Sequence, residues 1–297
     1  MVLLAVGIST LLSMLINPVS AQTTHTSSVT CRPDLSAVPS SALTSPGIHS
    51  SETITSSLYL PILYKPEVIP GCEPIPGASY STLSVMSPPT DRPAEEHADL
   101  NLALRSYEPT TAYLGLVDVD GPADPYAPDL HGLFSDGRAP TFTRVYHVYD
   151  WDWSCNCRGN LLTDPEVTLI GLSSTTGETI HVPDSGYSIG TDLIVPQRGV
   201  MLGAGYEVLV LYASTERVTL KYTREDNVVN GYTIHVENIC VEPSLLALYE
   251  LWNENGRSRL PALMGGQAVG RARGEEIQVS IRDCGTFMDP RSRKDWW

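Results

Sequence analysis

The chain has 297 residues, with 34 acidic side chains against 19 Lys and Arg, a formal net charge of −15 and a sequence pI near 4.8. That balance excludes a general affinity for nucleic acid or anionic membrane surfaces, both of which need clustered cations. Fourteen Tyr against three Phe, with 23 Gly and 23 Pro, fit a turn-rich, mostly β protein better than a helical one.

Residues 1–21 form an uncharged apolar run that breaks at Asn17-Pro18 and closes on Val19, Ser20 and Ala21. This is the apolar core and small-residue cleavage site of a secretory signal, with the cut expected after Ala21. No Lys or Arg precedes the run, which leaves room for a start codon upstream. The run is interrupted too early for a bilayer span of ~20 apolar residues, and no second apolar span follows it. Cys31 lies ten residues past the cut rather than next to it, so no lipid anchor is expected. The reading is a secreted, extracytoplasmic protein with no integral membrane segment after signal cleavage.

Residues 22–77 read as a Ser/Thr/Pro-rich spacer, with an apolar island at 58–64 (LYLPILY) that suits an edge strand. A smaller β-rich unit is expected over 78–153, with alternating strands at 80–86, 101–107, 111–117 and 142–149. Its acidic loop carries Asp118, Asp120, Asp124 and Asp129 but lacks the spacing and closing Glu of an EF-hand, so it reads as solvated. In the run 147–153 (HVYDWDW), strand parity puts His147, Tyr149, Trp151 and Trp153 on one face and Asp150 and Asp152 on the other. An aromatic packing face is expected there rather than a metal site.

Six cysteines, Cys31, Cys72, Cys155, Cys157, Cys240 and Cys284, favour disulfides in an oxidising compartment, with fifteen possible pairings. A zinc cluster is the alternative, but the Cys-x-Cys has no second Cys-x-x-Cys or His pair at finger-like spacing. Cys155-Asn156-Cys157 is tight for a bridge to itself, so each is expected to reach elsewhere.

The stretch 163–297 is the most specific. A Gly-bounded turn at 177–186 (GETIHVPDSG) precedes alternating strands at 205–213 and 218–224. A G-Q-x-x-G turn follows at 266–270, then a last strand from Glu276 that ends in Gly285-x-x-x-Asp289-Pro290. This order resembles the lysostaphin/LytM-type zinc endopeptidase domain, a small β barrel-sandwich. The resemblance implies a mostly β fold with a C-terminal β barrel-sandwich, preceded by the smaller β-rich unit. It also implies that the family's zinc-ligand positions fall on Val167, Gly171, Arg224, Glu276 and Gln278. Val and Gly have no ligating side chain and Gln is a poor neutral ligand, whereas catalytic zinc needs three protein ligands and one open position. The expectation is a domain without metal, cofactor or catalytic residues, whose remaining groove residues are Arg224, Glu276 and Gln278.

One helix is expected within this domain. Leu245, Leu248, Tyr249 and Trp252 fall at i, i+3, i+4 and i+7, and Gly256 supplies a stop. The C-terminus ends in Trp296 and Trp297, which either stack on a sugar or partner or tuck against the body. The expected function is binding of a cell-envelope polymer or an envelope protein. One alternative is an active zinc endopeptidase with displaced ligands drawn from His147, Asp150, His181 and His235. The other is a structural extracellular protein.

Overall fold

The computed structural model describes residues 70–86, 90–190 and 205–297. The signal segment, Cys31, the 58–64 island and most of the spacer lie outside the described residues. In chain order the strands are β1 (Ser81–Ser84), β2 (Tyr107–Pro109), β3 (Phe142–Asp152), β4 (Cys157–Leu161), β5 (Leu169–Ser173), β6 (Thr179–His181) and β7 (Val208–Ala213). They continue as β8 (Arg217–Lys221), β9 (Tyr232–Glu237), β10 (Ile239–Val241), β11 (Arg259–Leu263), β12 (Ala268–Ala272), β13 (Glu276–Asp283) and β14 (Thr286–Met288). The helices are α1 (Leu102–Arg105), α2 (Pro243–Glu254) and α3 (Arg293–Trp296).

Eleven strands form one sheet in the order β1-β11-β7-β8-β9-β13-β5-β3-β2, with β14 added to β13 and β4 to β3; β10-β12-β6 make a second, small sheet. Strands from 78–153 and from 163–297 therefore share the large sheet. The mostly β expectation with one inserted helix holds, but the sheet runs from β1 to β2 without closing, so it is not a barrel.

Side-chain alternation gives the large sheet two very different faces. On one, Ile277, Val279 and Ile281 of β13 meet Ile234 and Val236 of β9, Val218 and Leu220 of β8 and Ile170 and Leu172 of β5. Ile180, Val241 and Val269 of the small sheet join the same core, so the two sheets sandwich it. The opposite face carries Thr219 and Lys221, Thr233, His235 and Glu237, and Gln278, Ser280 and Arg282, all of them buried. On a one-sided sheet this set would face water.

It does not, because the chain around residues 97–105 crosses it. Thr219 Oγ1 donates to the Leu100 carbonyl at 2.6 Å, and Asp99 Oδ1 accepts from Arg105 Nη2 and Arg282 Nη1, both at 2.7 Å. Burial pushes the Asp99 carboxyl up, but the two guanidiniums outweigh it and hold the group at about 2. Phe287 lies beneath both arginines, and with Leu102, Tyr146, Val148 and Leu169 it forms a second apolar cluster. Ser280 donates to the Thr168 carbonyl at 2.7 Å. Buried polar groups that lack such partners would each cost roughly 1–3 kcal/mol.

The helix α2 packs where its stripe predicts: Leu245 and Tyr249 are buried in the main core. Glu242 caps it by accepting from Ser244 N and Leu245 N, Pro243 opens it, and Gly256 (φ 82°) follows its end. Arg257 then binds the fully buried Asp226 through Nε and Nη2, at 2.8 and 2.7 Å, and donates to the Leu211 carbonyl at 2.7 Å. Cys72–Cys240 ties the start of the described chain to β10 across 168 residues. In the chain-entropy account such a loop contributes about 5 kcal/mol.

Three local expectations are corrected. Residues 101–107 are not one strand: the Asn101 side chain accepts from Ala103 N at 3.2 Å and caps the single turn α1, and only β2 follows as strand. Residues 111–117 carry only an isolated bridge at Val117, because the Tyr113 ring folds over Gly115, where a Cβ would stand 2.7 Å from it. Cys155 and Cys157 are bonded to each other, not elsewhere. Asn156 between them adopts φ 51°, a left-handed turn that Asn tolerates and that brings the two Cα atoms to 5.2 Å.

His235 gives the buried polar face a pH signature. Thr219 has one hydroxyl proton and gives it to Leu100, so His235 Nδ1, 3.0 Å from the same oxygen, carries the ring proton. Nε2 is then a bare acceptor with no partner among the described residues. Burial, helped by Arg282, lowers the His235 pKa from 6.5 to about 3. Between those values the unfolded chain binds the proton and the native one does not, so stability falls as pH drops from about 6.5 towards 3. Urea unfolding at pH 7 and pH 4 should show the native chain losing about 3 kcal/mol more than His235→Gln over that interval.

Candidate functional site

One register line crosses the polar face: Arg217 opposite Glu237, Glu237 opposite Gln278, Gln278 opposite Gly171, and Gly171 opposite Arg144. At its inner end Arg217 Nε donates to Glu237 Oε2 at 2.8 Å, and burial pushes the Glu237 carboxyl up to about 7 against the pull of that guanidinium. At its outer end the line reaches a cleft of about 620 Å3 lined by Thr143, Arg144, residues 173–176, Glu275 and Glu276. Small-molecule pockets are usually roughly 300–1,000 Å3, and this one differs from most in being polar.

Glu276, the first residue of β13, is the best-organised group of the cleft. Its carboxylate accepts from the Tyr146 hydroxyl at 2.8 Å, from Gln278 Nε2 at 2.6 Å and from the Thr143 hydroxyl. Burial pushes its pKa up, but the bonds from Thr143, Gln278 and Tyr146 outweigh that and hold it below the ordinary carboxylate value. Glu276 is therefore a fixed anion, beside the exposed guanidinium of Arg144. Gly171 creates the space: a Cβ there would lie 2.6 Å from Thr143 Oγ1 and 2.7–2.8 Å from the Glu276 carboxylate.

Residues 173–176, beginning at Ser173, the sheet partner of Glu276, complete the lining. Ser173 N donates to Thr141 O and Ser174 N to Glu275 O, both at 2.9 Å, and Ser174 Oγ donates to Gly274 O at 3.0 Å. Glu178 accepts from Thr175 N at 2.9 Å and pairs with Arg138, which also donates to Ser173 O at 3.2 Å. The backbone of this hydroxyl-bearing turn is thus held in place, and the Ser174 hydroxyl with it. This turn was present in the sequence as Ser-Ser-Thr-Thr-Gly, and the alternation of β3 pointed to Arg144 and Tyr146 on one face. Neither signal says that the two segments meet.

Of the residues singled out from sequence, Glu276 and Gln278 come together here. Arg224 lies elsewhere: Nε and Nη2 donate to Ser84 O at 3.1 and 2.7 Å and fasten the end of β1. Trp296 is buried, donates to Asp289 O at 2.8 Å and stands edge-on to Tyr232; Trp297 donates to Pro290 O at 2.9 Å and stands edge-on to His131 and Phe142. Neither tryptophan lines the cleft.

The residues that the LytM resemblance equates with zinc ligands do not fit a zinc ion. Val167 is wholly buried in the core, Gly171 has no side chain, Arg224 is cationic and Gln278 is committed to Glu276. Of the displaced-ligand candidates, His235 is sealed under Arg282 and Phe287, His147 bonds the Glu166 carbonyl and Asp150 faces Arg105, while His181 is half-buried on β6 with Nδ1 lacking a partner among the described residues. Among the described residues no three His, Cys, Asp or Glu side chains gather as a metal site. Asp118, Asp124 and Asp129 of the acidic loop serve Arg293, Tyr232 and His131 N separately.

Gly171→Ala should force the Glu276 carboxylate off Thr143 at a stability cost of about 1–3 kcal/mol. Carboxyl-carbon NMR titration should then show the Glu276 pKa rising towards its ordinary value. Comparison with protein-family models, with curated proteins and with solved structures finds no match to this chain.

Proposed function

We propose that this chain is an exported, non-catalytic, LytM-like β protein that binds a cell-envelope polymer through the cleft at Glu276. The observation that carries the reading is the fixed Glu276 anion beside Arg144, at an open cleft that the hydroxyl-bearing residues 173–176 also line. Glycans and short peptides present dense hydroxyl, amide and charged groups, and such a lining matches them. A protein partner is less well served, because interface hot spots are mostly buried aromatic or arginine anchors, and this cleft has no aromatic lining.

Two further features support the reading. The bonded cysteines suit an oxidising, extracytoplasmic compartment. Gly171, Glu276 and Gln278, three of the positions that the LytM resemblance equates with zinc ligands, are neighbours in the sheet. In this reading a groove has persisted while the metal-binding side chains were replaced.

The test is co-sedimentation with insoluble cell-wall fragments, followed by calorimetry with soluble glycan–peptide pieces. Binding without turnover is expected, unchanged by chelator, and Glu276→Ala should weaken it about tenfold or more, roughly 1.4 kcal/mol. Chelator-sensitive cleavage of the fragments, with stoichiometric zinc, would overturn the non-catalytic reading.

A further inference from the structure

The hairpin tip between β3 and β4 carries the sequence Asp152-Trp153-Ser154-Cys155-Asn156-Cys157, with both cysteines exposed to solvent and bonded to each other. This bond does little for the fold. A bridge stabilises by shortening the unfolded chain, and closing a three-residue loop removes far less freedom than the 168-residue separation spanned by Cys72–Cys240. The tip is also held without it. Asp152 Oδ1 accepts from Ser154 N at 2.8 Å and from Ser154 Oγ at 2.6 Å. Asn156 Oδ1 accepts from Arg92 Nη1 at 2.7 Å and from Trp151 Nε1 at 3.3 Å. The β3–β4 ladder pairs Trp151 with Arg158 and Asp152 with Cys157.

A bond that is dispensable for folding and open to solvent has the properties of an exchange site, since attack on a disulfide is governed first by access to its sulfurs. The surroundings suit a visiting chain. Trp153, 42% exposed, stands edge-on to Trp151 and His97 with the Arg92 guanidinium 4.8 Å from its ring centre. Charge around the pair is mixed, Arg92 and Arg158 against Asp91 and Asp152, so access and spacing rather than an activated thiolate favour exchange here.

We propose that Cys155–Cys157 is a thiol–disulfide exchange site that accepts two electrons from a dithiol, independently of any ligand in the Glu276 cleft. A thiolate of the dithiol attacks one Sγ; the Sγ–Sγ bond breaks, and the other Sγ leaves as a thiolate and takes up a proton. The second thiol of the donor then attacks the mixed disulfide and releases the first cysteine as a thiol. The donor ends as a disulfide, the pair as two thiols, and atoms and electrons balance.

The full-length oxidised protein, treated with dithiothreitol for graded times, alkylated and mapped by peptide mass spectrometry, tests this. Cys155 and Cys157 should be labelled at least about tenfold faster than Cys72 and Cys240, with the cooperative thermal transition unchanged. Cys157→Ser, incubated with oxidised glutathione, should capture a mixed disulfide at Cys155, and the double variant Cys155→Ser/Cys157→Ser should melt as the native chain does. Labelling of Cys72 and Cys240 at the same rate or sooner would overturn the proposal. So would loss of the cooperative transition when Cys155–Cys157 opens, because the bond would then be structural.

Discussion

The molecule depends on how it satisfies the polar face of its large sheet. Strands β8, β9 and β13 turn Thr219, Lys221, His235, Glu237, Ser280 and Arg282 towards a surface that is covered, not solvated. Such a face is stable only if each donor and acceptor finds an internal partner. The covering chain provides them: the Leu100 carbonyl takes Thr219, the Asp99 carboxylate takes two guanidiniums, and Phe287 fills the space beneath. The Thr233 hydroxyl and His235 Nε2 are left over among the described residues, and burial rather than a bond keeps His235 neutral. The apolar face needs only shape, and the small sheet and α2 supply it.

The cleft follows from where that cover ends. Along the register line the side chains change from sealed to open, from Glu237 under its Arg217 partner to Arg144 at the surface, with Glu276 two residues along β13 from Gln278. Glu276 keeps a buried residue's bonding while it lines an open cleft. Gly171 is the condition for this, because any side chain there would stand where the carboxylate lies. The absence of a Cβ at Gly171 gives Glu276 its seat.

Much of this was legible in the sequence. The period-two pattern of 205–213, 218–224 and the run from Glu276 identified strands, and the Leu245, Leu248, Tyr249, Trp252 stripe identified α2. The buried polar face was not legible, because alternation of apolar and polar residues reads the same whether the polar side meets water or a covering chain. The cover itself was misread: a four-residue helix such as α1 is too short to show a 3.6-residue period, and Asn101 acts through a local cap rather than a pattern. Cys155 and Cys157 were placed apart because sequence does not reveal the left-handed turn at Asn156. Glu276 and Gln278 came from the LytM resemblance, and their partners Thr143 and Tyr146 are 130 residues or more away along the chain. Arg224 came from the same resemblance, yet its guanidinium is spent on β1.

The central claim is that the ordered cleft at Glu276 is the binding surface. Its most direct test is an amide NMR map of the isotopically labelled protein during titration with soluble envelope glycan–peptide fragments. The account predicts saturable shifts concentrated at residues 143–144, 173–176 and 275–278, with those around Ser84 and Arg224 and around Trp296 and Trp297 unmoved. Shifts centred on either of the latter regions, with the Glu276 cleft silent, would contradict it.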